Sequence, residues 1–406
     1  MTEQSQAFVP DWVRAEPGRV LAFAEAAAHP DGGFAWLDSA GAPVPERPVE
    51  TWITCRTTHV FALAAARDGR DELLSGVRRG VDALRGLLHD DEHGGWFASA
   101  TAAGPVAEHK GAYEHAFVLL AAASAAAVGA EGGRELLDEA LSVFDTRFWE
   151  DDFGLVADSW NRAWTELDPY RGVNANMHTV EALLAAADVT GDRTWSDRAA
   201  RIVRTVVHGF AREHGWRLPE HFDSGWNVLL EYNRDKPSDQ FRPYGVTIGH
   251  LLEWSRLALH VRHALGSEAP GWLLDDAREL FATAVRDGWS ADGADGFVYT
   301  TDFEGTPVVR NRLHWVIAES MATAWALHQE TGEQQYARWF ATWAEHADRF
   351  FVDRELGSWH HELDERNEPA ATVWEGKPDL YHAYQATLLP QLPPAASFIG
   401  AVTRGR

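Results

Sequence analysis

The 406-residue chain carries 61 Asp and Glu against 36 Lys and Arg, a formal net charge of −25 that excludes the basic, phosphate-tracking surface DNA or RNA binding requires. With 45% hydrophobic residues it can bury a large core, and its one cysteine, Cys55, excludes an internal disulfide and a Cys-rich zinc site. It has no apolar run of membrane-spanning length, and Met1-Thr2-Glu3-Gln4-Ser5-Gln6 lacks the basic start and apolar centre of a signal peptide. A cytoplasmic protein with no nucleic-acid or membrane partner, monomeric or homodimeric, is therefore expected.

In chain order, a short turn built on Gly and an apolar, usually aromatic, residue appears six times: Gly32-Gly33-Phe34, Gly94-Gly95-Trp96, Phe153-Gly154-Leu155, His214-Gly215-Trp216, Asp295-Gly296-Phe297 and Gly357-Ser358-Trp359. The signature glycine recurs at 33, 95, 154, 215, 296 and 357, and a near-constant period over the whole chain means an array of one supersecondary unit. The one longer step contains a stretch rich in Asn, Asp and Pro, 226–243, which reads as an inserted loop. Each repeat holds two helical patterns. The more charged ones, 12–28, 70–88, 133–148, 192–212, 271–287 and 333–350, belong outside, and the Ala/Leu-rich ones, 50–66, 112–127, 176–189, 247–264, 313–330 and 380–389, belong inside. Twelve alternating helices with short hairpins at one end predict an all-α fold, an (α/α)6 barrel forming one domain over 1–406, with an open solenoid as the alternative.

Candidate chemistry centres on 174–188, where Asn174-Ala175-Asn176-Met177-His178 runs into an apolar helical body. His178 and Glu181, three apart, share a helix face and are expected within a turn of its N-terminus, where free N–H groups favour negative charge. His250 with Glu253 and His382 with Gln385 repeat the spacing. Every inner helix has a His in its first part, at 59, 115, 178, 250, 314 and 382, so a ring at one depth around a central pocket is expected. His59 and His115 lack an acid or amide three residues on and are read as structural, bonding backbone carbonyls. Arg56 precedes His59, Tyr113 and Glu114 precede His115, Asn174 and Asn176 precede His178, and Trp315 and Glu319 follow His314. Donors, acceptors and flat aromatic faces together suit a polyhydroxylated ligand, a sugar. Imidazoles can move a proton near neutral pH. A glycosidase needs two carboxylates, which Glu253 and Glu319 could supply; a metal site is the other reading of clustered His and Glu, although no His-Glu-x-x-His is present.

The runs Trp52-Ile53-Thr54-Cys55-Arg56, Asn174 to Ala182, Gly249-His250-Leu251-Leu252-Glu253-Trp254, Asp292 to Thr300 and Val373 to His382 resemble the N-acylglucosamine 2-epimerase family, specifically its aldose–ketose isomerase branch, from about residue 10 to 393. The resemblance implies the (α/α)6 barrel, no cofactor and no metal. It implies His250 and His382 as the acid/base pair, accompanied by Glu253, and His178 as assisting ring opening. Arg56, Tyr113, Asn174, Trp315, Glu319 and Trp374 would line the sugar site. The reaction implied is D-mannose to D-fructose through an enediol, with D-lyxose to D-xylulose beside it; a sulfoquinovose isomerase, a sugar 2-epimerase, a glycosidase and a non-catalytic sugar-binding barrel are the alternatives. The branch members acting on the sulfonated sugar sulfoquinovose carry an Arg where this chain has Gln240, so a neutral substrate is expected.

Overall fold

The computed structural model describes residues 8–404; the N-terminal hexapeptide lies outside them. No helix among the described residues is long and apolar enough to cross a membrane. The chain divides into two compact units. One comprises the chain up to Val20, Val203–Lys377 and His382–Pro394; the other comprises Leu21–Ile202, Pro378–Tyr381 and the chain from Ala395 on.

In the second of these, the apolar runs form helices Thr51–Asp68, Ala112–Ala127 and Val173–Thr190, and the charged runs form Leu74–Arg85, Gly133–Val143 and Arg193–Val203. Thr51 to Ala66 is buried without a break, which is what an Ala/Leu-rich helix with no polar face must do. Leu74–Arg85 instead buries one stripe, Val77, Gly80, Val81 and Leu84, at helical spacing. Gly80 permits that contact, because a Cβ there would meet the Thr58 hydroxyl at 1.7 Å. A helix not foreseen from sequence, Phe398–Arg404, packs on Thr51–Asp68 and Val173–Thr190.

The other unit repeats the plan with inner helices Ile248–Leu265, His314–Thr331 and Tyr381–Leu388, the last shared at its first residue. Its outer helices are Asp11–Ala24, Trp272–Gly288 and Gln334–His346. Three outer helices widen into π turns, Phe144–Phe148, Arg204–Ala211 and Ala347–Phe351, which accounts for the length of the predicted runs at 133, 192 and 333.

Two-residue strands lead into the inner helices and pair antiparallel with the following repeat, in registers Val49↔Ala100, Lys110↔Trp160, Val246↔Thr301 and Arg312↔Leu363. All six signature glycines have positive φ, from 61° to 124°, the conformation the tight turn demands of them. The fourth signature is not a hairpin but a turn closing the Arg204–Ala211 segment, with the Trp216 N–H bonded to the Ala211 carbonyl at 2.7 Å. The inserted stretch is a loop of turns between strands His221–Phe222 and Val246–Thr247.

Candidate active site

The six histidines fall at different positions in their own helices. His314 is the first residue of its helix, His382 the second, His250 the third, His115 the fourth, His178 the sixth and His59 the ninth. At 1.5 Å per residue these positions span about 12 Å of rise along their own helices. His59 and His115 are both buried and hydrogen-bonded within the protein, though His59 bonds a side chain rather than the expected backbone carbonyl. Its Nδ1 lies 2.6 Å from Ser124 Oγ, and burial pushes it down to about 4. The His115 Nδ1–H donates to the Gly111 carbonyl at 2.7 Å, and its Nε2 accepts the Trp96 N–H at 3.2 Å. Burial pushes that ring down to about 3.

Around His178 the helix begins at Val173, three residues earlier than its apolar pattern suggests. His178 and Glu181 therefore sit beyond the first turn, away from the free N–H groups. His178 packs against Tyr113 and Phe117, with ring centroids 5.3 and 4.6 Å away. Glu181 accepts the Tyr381 hydroxyl proton. Asn176 is structural: its amide accepts the Val156 N–H at 2.9 Å and donates to the Gly172 carbonyl at 3.0 Å, tying a strand to the helix start. Asn174 is half-buried, and its Oδ1 makes no hydrogen bond among the described residues, an acceptor open to a hydroxyl donor. Arg56 is buried and donates to Asp379 Oδ2 at 2.7 Å and to Tyr113 Oη at 3.0 Å, its guanidinium 4.3 Å from the Phe117 centroid. Asp379 and Tyr381 carry no local pattern that links them to these residues, and sequence reading passed over both.

In the other unit the structure brings His250, Glu253, Trp315, Glu319 and His382 together. The Trp315 ring centroid lies 5.2 Å from that of His250 and 6.0 Å from that of His382, tilted about equally to each. Gly249 makes this possible, since a Cβ there would meet the Trp315 ring at 2.2 Å. An indole between two imidazoles gives an apolar face for sugar C–H bonds with titratable groups on either side. Glu253, Glu319 and His382 each offer an atom within 4.8 Å of the others, a spacing that could hold a metal. Sequence reading missed the group that answers their charge. Arg256, on the same helix face as His250 and Glu253, is 1% exposed and grips Glu319 through Nε at 2.8 Å and Nη2 at 3.1 Å. Its Nη2 also lies 3.6 Å from Glu253 Oε1. A divalent ion there would compete with a guanidinium already engaging both Glu319 oxygens.

Two further carboxylates order this unit's polar residues. Glu220 accepts from His250 Nδ1 through both oxygens, at 3.0 and 3.1 Å. Glu362 accepts the N–H groups of Thr372, Val373 and Trp374 and so fixes the buried Trp374. Gln240 is half-buried in the inserted loop, whose next residue, Phe241, meets Trp374 edge to face at 5.8 Å. His314 stacks on His361 at 3.7 Å.

The profile of the family described as N-acylglucosamine 2-epimerase (GlcNAc 2-epimerase) matches residues 32–386. The chain is 54% identical over 393 residues to a D-mannose isomerase of Thermobifida fusca, covering 96% of each. It is 49% identical over 398 residues to one of Pseudomonas cannabina pv. alisalensis, covering 96% of this chain and 94% of the relative. A solved crystal structure of D-mannose isomerase superposes with a TM-score of 0.88 at 28% identity, over 95% of this chain and 98% of that one. The fold class is the helical barrel expected from the repeat.

Proposed function

The chain belongs to the N-acylglucosamine 2-epimerase family, and on that premise we propose that it is an aldose–ketose isomerase that interconverts D-mannose and D-fructose. The observation that carries this reading is the 54% identity, end to end, with a protein named for that reaction. The pairing of His250 and His382 across Trp315 supports it.

In the open-chain aldose one imidazole takes the C2 proton, the C1=O bond becomes C1–OH, and a C1=C2 enediol forms. The O2 proton then leaves, C2 becomes the carbonyl, and C1 receives a proton. The net change moves one hydrogen from C2 to C1 and one from O2 to O1, with no oxidant or reductant. We assign the two transfers to His250 and His382, with Glu253 beside them, and ring opening to His178. Arg56, Tyr113, Asn174, Trp315, Glu319 and Trp374 are assigned to the sugar. The reaction is proposed to need no metal, since a guanidinium already balances the buried carboxylates of the His382 cluster. D-Lyxose, which is D-mannose without C6, would follow the same path to D-xylulose. A 2-epimerase would return the proton to C2 from the opposite face of the same intermediate.

Incubation of the purified protein with D-mannose, followed by separation of the ketose, tests the reading. His250→Ala and His382→Ala are each expected to lower kcat by about 10²-fold or more with folding intact, and EDTA dialysis is expected to leave the rate unchanged. Mannose turning to glucose faster than to fructose, or a rate abolished by chelation and restored by one divalent ion, would refute it.

A further inference from the structure

We propose that Glu220 is the positioning residue of His250, forming with it a carboxylate–imidazole dyad that delivers one nitrogen, Nε2, to the substrate; this rests on the isomerase reading above.

Both members of the pair are buried, His250 at 7% and Glu220 at 4% exposure. Both carboxylate oxygens lie within hydrogen-bond distance of Nδ1, at 3.0 and 3.1 Å. An ionised carboxylate only accepts, so Nδ1 must carry the proton of the neutral ring, and the lone pair resides on Nε2, at the far side of the imidazole. A His that must take a proton from carbon needs that tautomer and a fixed ring plane. One carboxylate secures both and also compensates the positive charge that appears when Nε2 is protonated, the role the acid plays in a hydrolase triad.

Glu220 is itself held in place. It immediately precedes the strand His221–Phe222, and His221 Nε2 bonds the Pro243 carbonyl at 2.7 Å while its ring packs at a tilt against Tyr232, centroids 4.6 Å apart. The inserted loop is thus pinned to the residue next to Glu220. Trp315, leaning on His250 from within the same unit, restricts the ring from another side.

The test uses the whole chain in two independent measurements. In 15N-histidine-labelled wild type, the His250 ring, identified by loss of its signals in His250→Gln, is expected as the Nδ1–H tautomer at neutral pH. An Nε2–H tautomer would overturn the proposal whatever the enzyme's substrate. In kinetics, Glu220→Gln and Glu220→Ala are expected to lower kcat for D-mannose by about 10²-fold with KM within about threefold. The isotope effect on 2-deuterated mannose should rise as proton abstraction becomes limiting, and Glu220→Asp should recover part of the rate lost in Glu220→Ala. A merely structural Glu220 would lower the active fraction without moving the isotope effect. Wild-type turnover in Glu220→Gln, or an unchanged isotope effect with reduced kcat, would refute the positioning role. A wild type that fails to isomerise mannose would instead refute the isomerase reading and leave the tautomer measurement standing as its own test.

Discussion

On the proposed reading, Gln240 is the residue on which the preference for a neutral substrate rests. A sulfonate in a partly dry pocket needs a charge-assisted partner, and an anion without one loses several kcal/mol, whereas a neutral hydroxyl is satisfied by an amide that both donates and accepts. Two arginines of comparable chemistry are already engaged: Arg56 is paired with Asp379, and the Arg242 Nη1 is directed at Tyr232 Oη, 3.5 Å away. D-Mannose is therefore expected to show a higher kcat/KM than sulfoquinovose, and Gln240→Arg to shift the ratio toward the sulfonate with the histidines untouched. Both substrates measured on both proteins check this, and a wild-type preference for sulfoquinovose would end the neutral-sugar reading. At this scale the sequence is legible only where a pattern is local. The three-residue spacing of His250 and Glu253 shows on the page. The Glu220 partner of His250 is 30 residues away and the Ser124 partner of His59 is 65 away, and no spacing rule reaches that far. Asn176 and Glu181 looked like site residues because polar groups at a helix mouth often are; here the backbone and Tyr381 had claims on them.

The inner helices were legible nearly to their ends, because an Ala/Leu run that is apolar all round can only be buried. What fixes their starts was not. Lys110, Arg171, Arg312 and Lys377 each stand two to four residues ahead of an inner helix, and each pairs with an acid from the preceding Gly turn. The partners are Asp90 at 2.9 Å, Glu150 at 2.7 Å, Asp292 at 2.9 Å and Asp353 at 2.6 Å. The separations in sequence, 20, 21, 20 and 24 residues, are as regular as the repeat, yet a charge in an acidic chain reads first as surface. Lys110 is 0% exposed and Asp90 1%, so the pair is a buried staple between turn and helix. Asp90→Ala strands an ammonium in the interior and removes the acceptor for the Glu92 and His93 N–H groups. It should cost about 3–5 kcal/mol in urea denaturation, and Asp90→Leu combined with Lys110→Met should recover the part due to the stranded ammonium, while the half-buried Arg162 still loses its two bonds to Asp90, at 2.9 and 3.1 Å. A loss below about 1 kcal/mol in the single variant would mean the staple contributes little.

For the molecule as a whole, buried imidazoles set the response to acid. Burial pushes His59 down to about 4, His115 to about 3 and His346 to about 4, from an ordinary 6.5. Between about 4 and 6.5 each is neutral when folded and largely protonated when unfolded, so the unfolded state binds more protons and stability falls as pH falls through that window. Glu50 opposes them. Burial, with the nearby Glu114 charge second, pushes its carboxyl up to about 7 from 4.5, so it is protonated when folded and ionised when unfolded, and acidification favours the fold there. Near pH 5.5 these three rings take up close to three protons on unfolding while Glu50 releases about one, so these four groups together contribute a slope of roughly 2–3 kcal/mol per pH unit. Denaturation midpoints are therefore expected to drop steadily from pH 6.5 to 5. His115→Gln, which can keep a donor toward Gly111 and an acceptor for Trp96, removes one titrating ring and should flatten the slope by about 1.4 kcal/mol per pH unit. Stability that holds level or rises across that interval, or a slope indifferent to His115, would show that these rings are not buried as neutral groups in solution.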